Sequence, residues 1–275
     1  MTPHHRPWEE AAEFIIGLKP IPVEAWLEGG EADPAARKDP LYVARRALVW
    51  AEAEGSRPAQ AEAAALVDAA LGLAPPADEG LPPLFAAARR ISDDLCLMEK
   101  RDGQWRLTAL SLSAGSFFTA EAVIGRSLAE LHAPVTGFAE RLLVRVQRIF
   151  EGLRPELVLE RRNWTVLNCA ELHTPSAAPI RASIGEIDPA DAGRALTLRV
   201  ERQTLRRLPQ TGAVLFTIRV WLAPLESLAD DPVRLDAFAH AWGTAHPDLR
   251  AYKRFDLYDE LVEGFLARAG ANPPR

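Results

Sequence analysis

The segment Glu201–Leu222, ERQTLRRLPQTGAVLFTIRVWL, constrains the fold more than any other stretch of the chain. Its second half alternates: Val214, Phe216, Ile218 and Val220 fall on one face of an extended chain, and Leu215, Thr217, Arg219 and Trp221 on the other, because successive side chains of a strand point to opposite sides. The turn residues PQTG, 209–212, separate it from a second extended run, so the pattern predicts an antiparallel hairpin. Arg202, Arg206, Arg207 and Arg219 sit in what otherwise reads as sheet interior. A guanidinium is costly to bury unless an anion receives it. Either Glu201 and acidic groups elsewhere in the chain neutralise these arginines in a structural network, or a ligand carrying acid groups does. In extended geometry Arg202 and Arg206 share a face, and Arg207 lies on the other.

The rest of the chain supplies helices around that sheet. Residues 1–40 read as an irregular wrapping segment with Trp8 and Trp26 as anchors. From Leu41 to Leu73 apolar residues recur at helical spacing, which predicts two helices split around GSRP, 55–58. APPADEGLPP after Leu73 reads as a loop, and a helical pattern resumes at Leu84 through FAAARRISDDL. CLMEKRDGQWRLTALSLS then predicts a β-hairpin turning at Asp102-Gly103. LSAGSFF, 112–118, reads as a strand end and loop. TAEAVIGRSLAELHAPV is helical, with a capping box S-x-x-E at Ser127–Glu130 that starts a short helix just before His132. Phe138–Gly152 is an amphipathic helix, RNWTVLNC and ALTLRVERQT are strands, and residues 232–269 return to helix. The sum is an α+β chain: helical ends around an antiparallel sheet.

With 275 residues and 48% hydrophobic content the chain can bury a large core. No apolar run approaches the roughly 20 residues that a membrane span needs, and MTPHHRPWEE lacks the features of a secretory signal, so the expectation is a cytoplasmic protein with no membrane partner. Lys and Arg number 32 against 38 Asp and Glu, a formal charge of −6, which argues against nucleic acid as a partner. The arginine cluster is therefore a local feature. Cys96 and Cys169 have no ligand neighbours at metal spacing, and Cys96, in DLCLM, reads as a small buried hydrophobe.

Among the histidines His132 stands out. It closes the short capped helix, is followed by Pro134, and has Leu131 and Val135 beside it, so it can be either a hydrogen-bonded core residue or a group projecting into an apolar cavity. His4 and His5 read as part of a mobile terminus, and His173, His240 and His246 lack a paired ligand motif. No G-x-S-x-G elbow, Walker loop, G-x-G-x-x-G or C-x-x-C-H is present.

The run ERQTLRRLPQTGAVLFTIRVWLAPL resembles the signature of the haem-dependent oxidative N-demethylase α-subunit family. IIGLKPIPVEAWL, ISDDLCLMEKRDGQWRL, IGRSLAELHAPVTGFAERL, RRNWTVLN and AYKRFDLYDEL follow the family in order, so the resemblance spans roughly residues 14–260. It implies one PAS-like domain over 1–275, with its core at about 84–225. It also implies haem b, O2 as oxidant, a small secondary amine as substrate, and electrons from separate flavin and iron–sulfur reductase subunits. By the resemblance His132, in LHAPV, is the axial iron ligand. Arg162, Asn163, Trp164, Arg206 and Arg207 contact the cofactor, while Arg202, Thr204 and Arg219 are the catalytic candidates, with Arg202 and Arg219 binding propionates or orienting substrate. The chain departs from the family at LSAGSFFTAEAVIG, where many members carry a Cys-Phe-Pro-Ser-like segment followed by tryptophan. That departure keeps a haem-based or small-ligand sensor without turnover, and a scaffold that has lost its cofactor, as alternatives.

Overall fold

The computed structural model describes residues 5–9, 16–74, 80–135 and 138–272. At its centre lies a seven-stranded antiparallel sheet of β1 (Lys19–Ile21), β2 (Trp50–Glu52), β3 (Asp94–Arg101), β4 (Gln104–Ser111), β5 (Val158–Leu167), β6 (Thr197–Arg207) and β7 (Val214–Pro224). The spatial order is β1-β5-β6-β7-β3-β4-β2. Helices flank it on both faces, so the α+β class read from the sequence is the one the chain adopts.

Both expected hairpins are present. β3 and β4 turn at Asp102 and Gly103, with φ of 50° and 77°; a two-residue turn whose twist matches the strands requires both residues in that left-handed region. β6 and β7 pair from Arg207↔Val214 to Thr197↔Pro224. Their connecting loop is held from outside. The Glu62 carboxylate, on the helix Arg57–Leu71, accepts the N–H groups of Gln210 at 2.6 Å and Thr211 at 2.8 Å, and the Thr211 hydroxyl at 2.6 Å.

The register sorts the side chains. Arg162, Arg202 and Arg219 are directly opposed across β5, β6 and β7, as are Asn163, Glu201 and Val220. Directly opposed residues share a face, so the sheet has an Arg219 face and a Glu201 face. The Arg219 face carries two apolar clusters. Leu95, Leu97 and Leu215 pack with Trp26, Val67, Leu84 and Phe85 at one end; Trp164, Leu198 and Val200 pack with Trp8, Phe238 and Trp242 at the other. Between them runs a polar belt of Glu160, Arg202, Thr204, Thr217 and Arg219. On the Glu201 face, Cys96, Met98, Leu107, Leu205 and Val214 pack with Leu128 and Phe150 of the helices Leu128–Leu131 and Leu143–Gly152. Each such side chain, removed from water, stabilises the fold by about 1.5–3 kcal/mol. Cys96 is buried among them, as read from DLCLM, and burial raises its thiol pKa.

Several elements differ from the sequence pattern. The helix Pro34–Ala44 begins inside the segment, residues 1–40, expected to be irregular, and is started by Asp33, whose side chain accepts the Ala36 N–H at 3.2 Å. Trp50–Glu52 is an edge strand on β4 rather than helix, and the helix from Pro83 stops at Ala88, so Asp94 and Leu95 open β3 instead of closing a helix. In both places pairing with the sheet outweighs helical spacing. The stretch around His132 is broken into Ala120–Val123 and Leu128–Leu131 by Gly125, at φ 77°. His5 is anchored: it is 7% exposed and its Nε2 meets Glu28 at 2.9 Å. His4 and residues 75–79 of the Pro-rich loop lie outside the described residues.

Candidate functional site

The capping box at Ser127 is complete. Its hydroxyl accepts the Glu130 N–H at 3.4 Å, and the Glu130 carboxylate accepts the Ser127 N–H at 2.7 Å. The helix it starts ends on His132, whose Nδ1 lies 2.8 Å from the Leu128 carbonyl. A carbonyl can only accept, so Nδ1 carries the proton and the lone pair is left on Nε2. Phe138 stacks flat on the ring, with centroids 4.1 Å apart and planes at 6°. Burial lowers the His132 pKa; the Leu128 hydrogen bond opposes that and the Arg161 charge reinforces it, so the ring is neutral near pH 7.

The sheet surface on this side is only half covered at its centre, where Leu159, Arg161, Asn163, Gln203, Phe216 and Ile218 are all partly exposed. Arg161 has no hydrogen bond or ion pair among the described residues, and burial lowers its pKa against the opposing charges of Tyr252 and Glu201. Glu201 lies one strand away. Burial opposes its ionisation, yet Arg199 at 2.9 Å, Gln203 at 2.9 Å and Asn163 at 3.4 Å together hold it below the usual carboxylate range. The C-terminal helices close the rim: Lys253 Nζ donates to the Trp164 carbonyl at 2.6 Å, and burial brings its pKa down to about 7.

The residues singled out in the sequence do not form one constellation. Arg162, Trp164, Arg202, Thr204, Arg206 and Arg219 lie on the Arg219 face, away from His132; Asn163 and Arg207 share the Glu201 face with it. Arg202 is 2% exposed and fully engaged: Nε donates to Glu160 at 2.5 Å with Glu28 at 3.2 Å, and the two terminal nitrogens donate to the carbonyls of Trp26 at 2.8 Å and Ala25 at 2.6 Å. Thr204 meets the Thr217 hydroxyl at 2.7 Å and accepts the Trp26 indole N–H at 3.1 Å. Arg206 lies over the Trp26 ring at 4.4 Å. Arg162 pairs with Glu160 at 3.0 Å, Trp164 is packed among Trp8, Phe238, Trp242 and Phe255, and Arg207 donates to the carbonyls of Phe150 and Glu151, both at 3.2 Å. For Arg202 the internal network is therefore the observed answer.

Residues 57–263 match the family described as haem-dependent oxidative N-demethylase, α subunit-like. The chain belongs to that family. The family name ties its members to haem and to oxidative demethylation at nitrogen, and its α-subunit designation implies partner subunits. Among the described residues no helix is long and apolar enough to cross a membrane.

The Glu201 face suits the haem of the N-demethylase family by the chemistry of its groups. Among the described residues no group of three or more His, Cys, Asp or Glu could hold a metal ion. His132 offers a neutral ring with Nδ1 already committed, the arrangement that frees Nε2 as a ligand. Phe216 and Ile218 are apolar, and Arg161 is a half-buried cation with no ion pair among the described residues. Arg161 and Gln203 escaped the sequence reading, although the alternation that puts Arg162 on one face of β5 puts Arg161 on the other.

Proposed function

We propose that the chain binds haem b against the Glu201 face, with His132 as axial ligand, and catalyses oxidative N-demethylation of a small secondary amine with O2 and electrons from a separate reductase. The observation that carries this reading is the His132 geometry: a neutral imidazole, its Nδ1 fixed by Leu128 and its plane fixed by Phe138, beside a half-covered sheet surface. The region is read as a PAS-like core within one domain.

A bound haem would supply oxygen activation and one-electron chemistry. The chain's own groups would do the rest. His132 holds the iron and Phe138 keeps the imidazole from turning. Arg161 receives a propionate carboxylate, for which a planar guanidinium is well suited. Glu201, kept ionised by Arg199, Gln203 and Asn163, offers a carboxylate oxygen that accepts a hydrogen bond from the amine. Arg202 and Thr204 act at a distance, by holding the Trp26 segment on the opposite face.

An absorption spectrum of the protein from cells supplied with a haem precursor, oxidised and then reduced under carbon monoxide, tests the first half of the reading. A Soret band that moves with carbon monoxide supports it; a colourless protein that also refuses added hemin sinks it. Oxygen uptake with dimethylamine and a reductant tests the second half, and haem without uptake would leave a sensor.

A further inference from the structure

We propose that the uncovered edge of β7 beside Arg219 contains a second ligand site, a pocket for a small monocarboxylate that is separate from the surface beside His132. β3 stops pairing with β7 at Asp94↔Ile218, so the remaining length of β7 is uncovered on that side. A cavity of about 320 Å3 opens there, lined by Arg219, Trp221 and Leu222 of β7 and by Leu172, Ala170 and Ser92 from the covering loops. Arg219 is 8% exposed, and its guanidinium has no hydrogen bond or ion pair among the described residues; Nε and Nη1 are both buried without a hydrogen-bond partner, and the group lies over the Trp221 ring at 5.3 Å.

The other charges at this cavity are already matched. Arg37 donates to both oxygens of Glu31 at 2.8 Å and to the carbonyls of Ser113 and Ser92 at 3.2 Å. Beneath it the Asp93 carboxylate is 1% exposed and also lacks a hydrogen-bond partner, but it lies beyond ion-pair distance of Arg219. The backbone is shaped around the guanidinium: a Cβ on Gly30 would come within 2.6 Å of Arg219 Nη1 and 2.2 Å of Ser92 Oγ. The chemistry that fits is an anion with a planar, two-oxygen head and an apolar tail against Trp221 and Leu172. Glu31 and Asp93 stand close by, so a single negative charge is accepted and a phosphate dianion is repelled.

Calorimetric titration of the full chain with benzoate, propionate and inorganic phosphate tests the site. Saturable binding of benzoate at one site is expected, weaker for propionate, and reduced about tenfold or more in Arg219→Gln, as for loss of a charge-assisted hydrogen bond. Leu172→Phe, which fills the cavity while keeping the guanidinium, is expected to block benzoate and decides the matter if Arg219→Gln does not fold. The proposal is overturned by any of three results: no saturable binding of either carboxylate, binding that survives in both variants, or tighter binding of phosphate than of benzoate.

Discussion

Arg202 and Arg219 stand directly opposite one another on β6 and β7, and only Arg202 is neutralised. Two identical side chains in register thus have different tasks. Arg202 ties the Ala25–Trp26 backbone and two carboxylates to the centre of the sheet. Breaking a buried pair leaves uncompensated charge, so Arg202→Leu is expected to lower stability by about 3–5 kcal/mol, visible as a large fall in the urea midpoint. A midpoint near wild type would show that Glu160 and Glu28 reach water without it.

Replacing His132 with Ala is expected to abolish the native Soret band, and added imidazole to restore part of it by filling the vacated position. Phe138→Ala keeps the ligand but frees the ring, so it is expected to broaden the spectrum and speed haem loss. An unchanged spectrum in His132→Ala would remove His132 as the axial ligand.

Arg161 and Arg162 are neighbours in sequence on opposite faces of β5, which makes them an internal comparison. Loss of a charge-assisted contact is worth about 1.5–3 kcal/mol, so Arg161→Leu is expected to speed haem transfer to apomyoglobin by about tenfold or more. Arg162→Leu should have the smaller effect. The reverse order would move the cofactor to the Arg219 face.

Asp93 supplies a pH test of the polar belt. Burial raises its pKa from 3.8 to about 6, against the opposing charges of Arg219, Lys38 and Arg202 and with a small addition from Asp94. Below the lower value both folded and unfolded chains hold the proton and nothing is lost. As pH climbs to about 6 the unfolded chain ionises first, so stability falls by about 3 kcal/mol across that window and then levels off. Asp93→Asn lacks this loss; its advantage over wild type in urea denaturation should therefore be larger at pH 7 than at pH 4. An advantage that does not change with pH would mean that Asp93 is ionised and solvated.

Much of the scaffold is legible in the order of residues alone. The Asp102-Gly103 turn, the Ser127–Glu130 cap and the two faces of β7 are local signals, each written within a few residues, and each is present. Trp50–Glu52 and Asp94–Leu95 are not legible as strand, because they are too short to impose a period on Ala- and Arg-rich surroundings. The two fates of Arg202 and Arg219 stay open in the sequence for a different reason. Glu160, Glu28 and the Ala25 carbonyl reach Arg202 from far along the chain, and no spacing rule reports who meets whom across a sheet. Likewise the Lys253 contact with Trp164 joins residues 89 apart.

Both outer strands of the sheet, β1 and β2, come from the first 52 residues and are three residues long. The family match begins at residue 57, so both edge strands precede it. A chain trimmed to that match would keep β5 and β4 but leave each with a bare row of backbone donors and acceptors. The amino-terminal segment thus shields part of both margins, Val158 to Glu160 on β5 and Ala109 to Ser111 on β4, and the shortness of its strands denies a neighbouring molecule a long template on which to pair.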